Sequence, residues 1–257
     1  SSPSRGLGDV YKRQRLCMDI NIIIIKKILK LINKKYLSFI MNSQNLMVID
    51  PALEVPEIES FNGIVSRSPI KATYHLPALH SPVSMHEQIK DTRGIILMGS
   101  AASVFEKHEW MNDIEKVINK AVEKQLPILG ICFGHQFLAH LFGGKVDYLW
   151  NTTKKRGIRK VQTLENNLLV EPQEDYLVYS HQEGVTISPK DFEVSAKSEM
   201  VHIEGMVHKE LPIWSFQPHI ESSHAFATRI GVNSKDFEKT RSYSSLLLES
   251  FLNNLKY

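Results

Sequence analysis

From about residue 41 onward, short apolar runs alternate with longer amphipathic ones. Residues 94–98 (G-I-I-L-M) are nearly all apolar, which is typical of a strand that is covered on both faces. Residues 107–124 instead repeat apolar side chains every three or four positions, with Glu and Lys between them, which predicts an amphipathic helix. Alternation of this kind predicts a parallel sheet with helices on both faces.

The other runs complete this picture. The strands predicted in the first half lie at residues 46–49, 71–76, 94–98 and 127–131. A further helical pattern over residues 137–142 is stopped by Gly143 and Gly144. Residues 145–214 change character and predict short strands added antiparallel to the same domain. These strands lie at residues 159–163, 176–179, 192–195, 200–203 and 213–216, and two closing helices lie at about 222–230 and 235–254.

The first forty residues differ from the rest in charge. They hold nine Lys/Arg and two Asp, net +7, so the other 217 residues hold 22 basic and 26 acidic side chains, net −4. This balance does not favour nucleic acid as a partner. The apolar run at 22–25 is cut by Lys26, Lys27 and Lys30 before it could span a bilayer, and no signal-peptide pattern is present. We interpret residues 1–40 as a non-native or disordered extension, with a membrane-surface helix as the alternative, and residues 41–257 as one domain; no membrane partner is expected.

The richest candidate chemistry surrounds one of the two cysteines. With only Cys17 and Cys132, no disulfide framework holds the fold, and a reducing compartment, the cytoplasm, is expected. Gly130 and Gly134 flank Cys132 between an apolar strand and a helix, which is the context of a nucleophile elbow. A helix N-terminus favours thiolate over thiol, and the N–H of Phe133 would face the oxygen of an attacked carbonyl. The alternative is a small buried core cysteine.

A thiolate nucleophile needs an acid–base partner, and His219 is the histidine whose surroundings favour that role. It ends an apolar run, and Glu221 follows two residues later. In an extended chain residues i and i+2 point the same way, so Glu221 would accept an N–H of His219 and orient the ring. Together with the nucleophile elbow, this H-x-E pair predicts a Cys–His–Glu triad whose members take the same roles as the nucleophile, the histidine and the acid of a serine triad.

Four motifs in this order resemble those of the class I, triad-type glutamine amidotransferases, most closely the GMP-synthetase-like amidotransferase domains. The motifs are I-I-L-M-G-S-A-A-S-V at 95–104, P-I-L-G-I-C-F-G-H-Q at 127–136, Y-S-H-Q-E-G-V at 179–185 and F-Q-P-H-I-E at 216–221. The resemblance and the alternation of elements predict a single-domain α/β fold: a flavodoxin-like, mostly parallel central sheet with helices on both faces plus antiparallel additions.

The resemblance implies a reaction. Cys132 would attack the side-chain amide of glutamine, and His219, oriented by Glu221, would protonate the departing ammonia. His219 would then activate water to hydrolyse the γ-glutamyl thioester. No cofactor and no metal is implied.

The resemblance also implies roles for two further groups of residues. The oxyanion would be held by the N–H of Phe133 and one N–H from the Gly99–Ser100 loop. The glutamine substrate would be held by Gln136, Ser180 and His181. The family usually has two glycines and a proline where this chain reads Gly-Ser-Ala, so a positive φ at Ser100 would cost about 1 kcal/mol or more. The acid of the third motif is Glu183 rather than the commoner aspartate.

The acceptor of the ammonia is not apparent in the sequence. No G-x-x-x-x-G-K-[ST] phosphate loop occurs in the sequence, and we expect a separate synthetase subunit, rather than a second domain, to take the ammonia. Two alternatives stay open: a γ-glutamyl peptidase or hydrolase with the same triad, and a catalytically silent partner subunit.

Overall fold

A computed structural model describes residues 44–256 and Lys30. The predicted extension at 1–40 lies outside the described residues apart from Lys30, and so does its junction with the domain at Met41. The strands are β1 Asn45–Ile49, β2 Ala72–His75, β3 Thr92–Leu97, β4 Ile128–Ile131, β5 Lys145–Tyr148, β6 Lys155–Thr163, β7 Glu174–His181, β8 Glu183–Ile187, β9 Phe192–Lys197, β10 Gly205–His208 and β11 Ile213–Phe216. The α-helices are α1 Ile58–Arg67, α2 Val83–Gln88, α3 Glu109–Glu123, α4 Phe133–Leu141, α5 His224–Arg229 and α6 Ser234–Asn253.

Nine of these strands form one mixed sheet in the order β2-β1-β3-β4-β11-β10-β9-β6-β7, and β5 pairs with β8 separately. The five strands from β2 to β11 are parallel to their neighbours, in the order that flavodoxin-like folds share. The four strands beyond β11 are antiparallel. The predicted fold class is confirmed: a parallel centre with antiparallel additions.

Helices cover both faces of the parallel strands. On β1, Met47 and Ile49 pack with the apolar stripe of α3, whose members include Ile114 and Ile118. Leu46 and Val48 on the other face pack with the stripe of α6. Alternate residues of one strand therefore enter two different cores, as the pleat requires. This double burial is why the strands read as continuous apolar runs.

Two predicted strands need correction. Residues 200–203 form a turn, and β10 begins only at Gly205. The hydroxyl of Ser198 accepts the N–H groups of Met200 and Val201, which closes the turn and removes these donors from any ladder. The second correction concerns β11, which the sequence pattern places among the antiparallel additions. It pairs with β10 antiparallel but with β4 parallel, so it is the fifth strand of the parallel centre.

Candidate active site

Loops that follow three neighbouring strands bring the predicted catalytic residues to one edge of the sheet. Gly99 follows β3, Cys132 follows β4 directly, and His219 follows β11. Because these strands are adjacent and parallel, their carboxyl ends lie side by side. This edge is where open α/β sheets bind their ligands.

Cys132 occupies the sharp turn from β4 into α4, in a backbone conformation that residues with a side chain rarely adopt. Its φ is 53° and its ψ is −102°, and such conformations cost about 1–3 kcal/mol. A Cβ on Gly130 would lie 2.6 Å from the carbonyl oxygen of Gly134, and a Cβ on Gly134 would lie 2.2 Å from that of Leu97. Both glycines are therefore required for the helix to approach the strands this closely. The strain falls on the predicted nucleophile.

His219 is buried beside two groups that favour its protonated form. Its Nδ1 lies 2.9 Å from Oε1 of Glu221, and its ring packs on Phe226 with centroids 4.3 Å apart. Burial lowers the pKa of His219, but the negative charges of Cys132 and Glu221 and hydrogen bonds with both outweigh burial and raise this pKa to about 10. At neutral pH an imidazolium at His219 is therefore favoured.

Gly99 is the residue on which Cys132 and His219 both pack. A Cβ built on Gly99 would lie 2.7 Å from Cε1 of His219 and 3.4 Å from Cβ of Cys132. The cysteine and the histidine, 87 positions apart in the sequence, are thus neighbours in space. A cavity of about 450 Å³ opens beside Gly99 and His219. Its lining includes Gly99, Ser100, Ser180, His219 and Glu221.

Gly99→Ala should lower kcat for glutamine hydrolysis by about 10²-fold, because the new methyl group displaces the His219 ring and displacements near 1 Å can cost that much. Gly63→Ala in α1 is the matched control, since its Cβ would meet only Nη1 of Arg67 at 3.5 Å. The control should keep wild-type kcat and gain about 0.5–1 kcal/mol of stability. Steady-state ammonia release measures kcat of both variants. A wild-type kcat for Gly99→Ala would contradict the tight packing of this site.

The loop after β3 is fixed by hydroxyl groups. Ser100 Oγ donates to the carbonyl oxygen of Pro51 at 2.6 Å and accepts the N–H of Ala102 at 3.0 Å. Ser100 does not have a positive φ, so the strain considered for this position does not arise. Further along, Ser103 Oγ donates to Oε2 of Glu183 at 2.9 Å. The loop is therefore tied down on both sides of Ala101 and Ala102.

Two of the predicted substrate-binding residues converge on the backbone carbonyl of Glu183. It accepts Nε2 of Gln136 at 2.8 Å and lies 2.7 Å from Nδ1 of His181. The third, Ser180, lines the cavity together with His219. The Glu183 side chain is 4% exposed. Burial raises the pKa of this carboxyl group, while hydrogen bonds from Ser103 and Tyr148 oppose the rise.

Sequence reasoning missed two groups at the site. Gln217 is fully buried and accepts Nε2 of Gln136 at 3.1 Å. It lies within the motif F-Q-P-H-I-E, but the H-x-E spacing in this motif indicates a role only for His219 and Glu221. Arg159 is also buried, and its Nη2 lies 2.7 Å from Nε2 of His181. No spacing in the sequence links these two residues, because they meet only across the β6–β7 pair.

Within residues 44–256, no group of three or more His, Cys, Asp or Glu side chains is placed to hold a metal ion. The helices of this part of the chain are all too short or too polar to cross a membrane.

Fold and site together define an open α/β protein with a cysteine nucleophile elbow and a buried His–Glu pair beside it. A family model for class-I glutamine amidotransferases matches residues 58–229, well over half of the chain. The chain belongs to that family and is a cysteine-dependent glutamine amidotransferase, which confirms the resemblance found in its motifs.

Relatives agree with this assignment. A glutamine-hydrolysing GMP synthase subunit from Methanococcus aeolicus is 36% identical over 149 residues, which cover 56% of this chain and 72% of that protein. The glutamine-hydrolysing GMP synthase of Bacillus cytotoxicus is 33% identical over 57% of this chain but only 28% of its own length. A glutamine amidotransferase of Thermotoga maritima shares the fold, with a TM-score of 0.64 and 18% identity over 83% of this chain and 98% of that one.

Proposed function

We propose that Cys132, His219 and Glu221 are the residues with which this enzyme hydrolyses glutamine. The observation that carries the proposal is the packing of Cys132 and His219 on Gly99, with Cys132 in a strained turn and His219 held by Glu221. A nucleophile, an acid–base group and an orienting carboxylate are then within reach of one another, as covalent catalysis requires.

The reaction follows from these positions. The Cys132 thiolate adds to the amide carbon of glutamine, and the carbonyl π electrons move to oxygen. When the intermediate collapses, the C–N bond breaks and the His219 imidazolium gives its proton to the leaving nitrogen, so ammonia departs. The neutral His219 then takes a proton from water, whose oxygen attacks the thioester. Glutamate leaves and the thiolate is restored.

The groups around the triad would bind the rest of the substrate. We assign the oxyanion to the N–H of Phe133, at the first position of α4, and to an N–H of the Gly99–Ser100 loop. Gln136, Ser180 and His181 would hold the glutamine. A further contact would join the Glu183 carboxylate to the α-ammonium group, because this buried acidic residue bonds Gln136 and His181 through its carbonyl oxygen and so lies next to the residues assigned to glutamine.

We propose that the ammonia passes to a synthetase subunit in the cytoplasm. The proposal rests on the relatives, among which the Methanococcus protein is one subunit of a GMP synthase and the longer Bacillus protein matches this chain over only about a quarter of its length. The mouth of the cavity carries exposed Leu53 and Val55 together with Lys154 and Arg156, a mixed surface that suits a protein partner. We propose residues 41–257 as the amidotransferase domain, with residues 1–40 outside it.

Free glutamine should be the preferred substrate. We expect kcat/KM for ammonia release from glutamine to exceed kcat/KM for cleavage of γ-glutamyl dipeptides by about tenfold or more, since the chain belongs to the class-I glutamine amidotransferases and a site whose buried polar groups hydrogen-bond one substrate rejects analogues that leave these groups unpaired. Coupled assays of ammonia and of the released amino acid measure the two rates. Faster turnover of γ-glutamyl peptides would replace this proposal with a γ-glutamyl hydrolase. If neither glutamine nor γ-glutamyl peptides were turned over, with or without a synthetase subunit, the protein would be a catalytically silent subunit.

A further inference from the structure

A buried ion pair lies on the antiparallel side of the sheet, next to the residues that converge on Glu183. Arg159 on β6 is 5% exposed, and Glu204, just before β10, is fully buried. Arg159 Nε lies 2.6 Å from Oε1 of Glu204, and its Nη2 donates to Oε2 at 2.7 Å. Ser198 Oγ also donates to Oε1, at 2.5 Å. Both oxygens of the buried carboxylate are thereby occupied.

The same Nη2 of Arg159 reaches the ring of His181. It lies 2.7 Å from His181 Nε2. A guanidinium group only donates hydrogen bonds, so this ring nitrogen must accept and carry no proton. The proton of the neutral ring is then on Nδ1, which donates to the carbonyl oxygen of Glu183. Arg159 therefore selects one neutral tautomer of His181.

From Glu183 the series of hydrogen bonds continues into the elbow helix. The same carbonyl oxygen accepts Nε2 of Gln136, which lies on α4 four positions after Cys132. Four hydrogen-bond links thus connect Glu204 to the helix that begins directly after the predicted nucleophile. None of the links between them is exposed to solvent, so each group depends on its neighbours for its hydrogen bonds.

We propose that Arg159, held in place by Glu204, is a positioning residue for glutamine binding: it keeps His181 neutral and in one tautomer, and so holds the Glu183 carbonyl and Gln136 in their binding arrangement. This inference rests on the proposed function, because it assumes that glutamine contacts the loop at residues 180–183. Arg159 acts through His181 and need not touch the substrate itself.

The electrostatic surroundings of His181 support this role. Burial, the largest cause, and the charge of Arg159 together lower the pKa of His181 to about 3, with smaller contributions from His219 and His135 against a rise from the bond to Glu183. Lys155 of β6 is its register partner, and the rings of Trp150 and Tyr179 pack on it. The charged and titratable groups around it are thus Arg159, Lys155, Tyr179, His219, His135 and, beyond the guanidinium, Glu204. Loss of Arg159 would remove a positive charge beside His181 and leave the buried Glu204 carboxylate without its ionic partner, and both changes favour protonation of His181.

Arg159→Met tests the proposal through a separation of KM from kcat. We expect KM for glutamine to rise about tenfold or more, with kcat at saturation within about threefold of wild type, because ground-state and transition-state binding are lost together. The increase in KM should grow as pH falls, because loss of the guanidinium raises the pKa of His181 from its lowered value while the ring stays buried. Lys160→Met, at the next and exposed position of β6, is the matched control and should leave KM and its pH dependence at wild type.

The double variant Arg159→Met/Glu204→Met separates positioning from folding. Replacing both members of a buried ion pair by apolar residues is often neutral for stability, so this protein should fold even if the single variant does not. Without Glu204 nothing favours the protonated ring, and the new pH dependence of KM should disappear. A merely structural role for Arg159 would not produce a pH dependence in one variant that the second substitution removes.

Nitrogen-15 NMR of the histidine rings gives a result that does not need activity. In wild type, His181 should show an unprotonated Nε2 and no titration between pH 6 and 8, whereas in Arg159→Met a fraction of the rings should carry a proton on Nε2 and the pKa of His181 should be higher than in wild type. Unchanged KM and an unchanged His181 spectrum in Arg159→Met would overturn the proposal. So would a fall in kcat at constant KM. If wild type fails to hydrolyse glutamine while the spectra change as described, the proposed function fails but the coupling of Arg159 to His181 holds.

Discussion

Cys132→Ala should abolish glutamine hydrolysis, with kcat falling by about 10⁴-fold or more, because no γ-glutamyl thioester can form without the sulfur and loss of a triad nucleophile has effects of this size. Ammonia release at saturating glutamine measures the effect. The fold should survive. Alanine, like cysteine, has a Cβ, so the substitution does not change the strain of the turn. The site loses one buried sulfur atom and gains no polar group.

Cys17→Ala is the matched control for this variant, since Cys17 is the other cysteine in the chain. It should hydrolyse glutamine at the wild-type rate. Thermal unfolding should show both variants within a few degrees of wild type, which separates loss of chemistry from loss of structure. Residual turnover above about 1% in Cys132→Ala would contradict the assignment of the nucleophile, whatever the fold does.

Glu221→Gln should lower kcat by about 10⁴-fold, the order seen when the orienting acid of a triad becomes an amide. Glu221 does two things here: its Oε1 accepts Nδ1–H of His219, and its charge helps to raise the pKa of His219. The amide removes the charge, so the pKa of His219 falls from its raised value. The imidazolium that must protonate the leaving nitrogen is then lost at a lower pH.

The pH profile checks this prediction. The wild-type enzyme should keep its imidazolium until pH approaches the raised pKa of about 10, and the alkaline limb of kcat in Glu221→Gln should lie at lower pH. Glu238→Gln on the exposed face of α6 is the control, because its pair with Arg241 is on the surface and such pairs contribute little. An alkaline limb at the wild-type position would mean that Glu221 does not govern the protonation of His219.

The sequence predicts much of the fold because burial on both faces makes parallel strands recognisable. Residues 46–49 and 94–98 read as strands, and they are β1 and β3. Which strands pair with each other is harder to predict, because an apolar run indicates that a strand is buried but not which strand lies beside it. For this reason the sequence alone places β11 with the antiparallel strands. Val201 and Ile203 show the same limit, because both are buried but lie in a turn rather than in a strand.

At the site, the sequence predicts those features that depend on residues close together in the chain. Gly130 and Gly134 predict the turn around Cys132 because their lack of a Cβ is a local steric requirement. The H-x-E spacing predicts the contact between His219 and Glu221 because it too is local. Arg159 and Glu204 are 45 positions apart and meet only once β6, β9 and β10 are assembled. Their role depends on tertiary structure, so no spacing could have revealed it.

Mapping the covalent adduct of a glutamine-like electrophile, 6-diazo-5-oxo-norleucine, on the intact enzyme is the measurement that bears most closely on the proposed chemistry. Peptide mass spectrometry should place one adduct on the sulfur of Cys132, none on Cys17, and excess glutamine should slow its formation. An adduct elsewhere, or a Cys132 that stays unmodified while the protein hydrolyses glutamine, would show that this cysteine does not face the substrate.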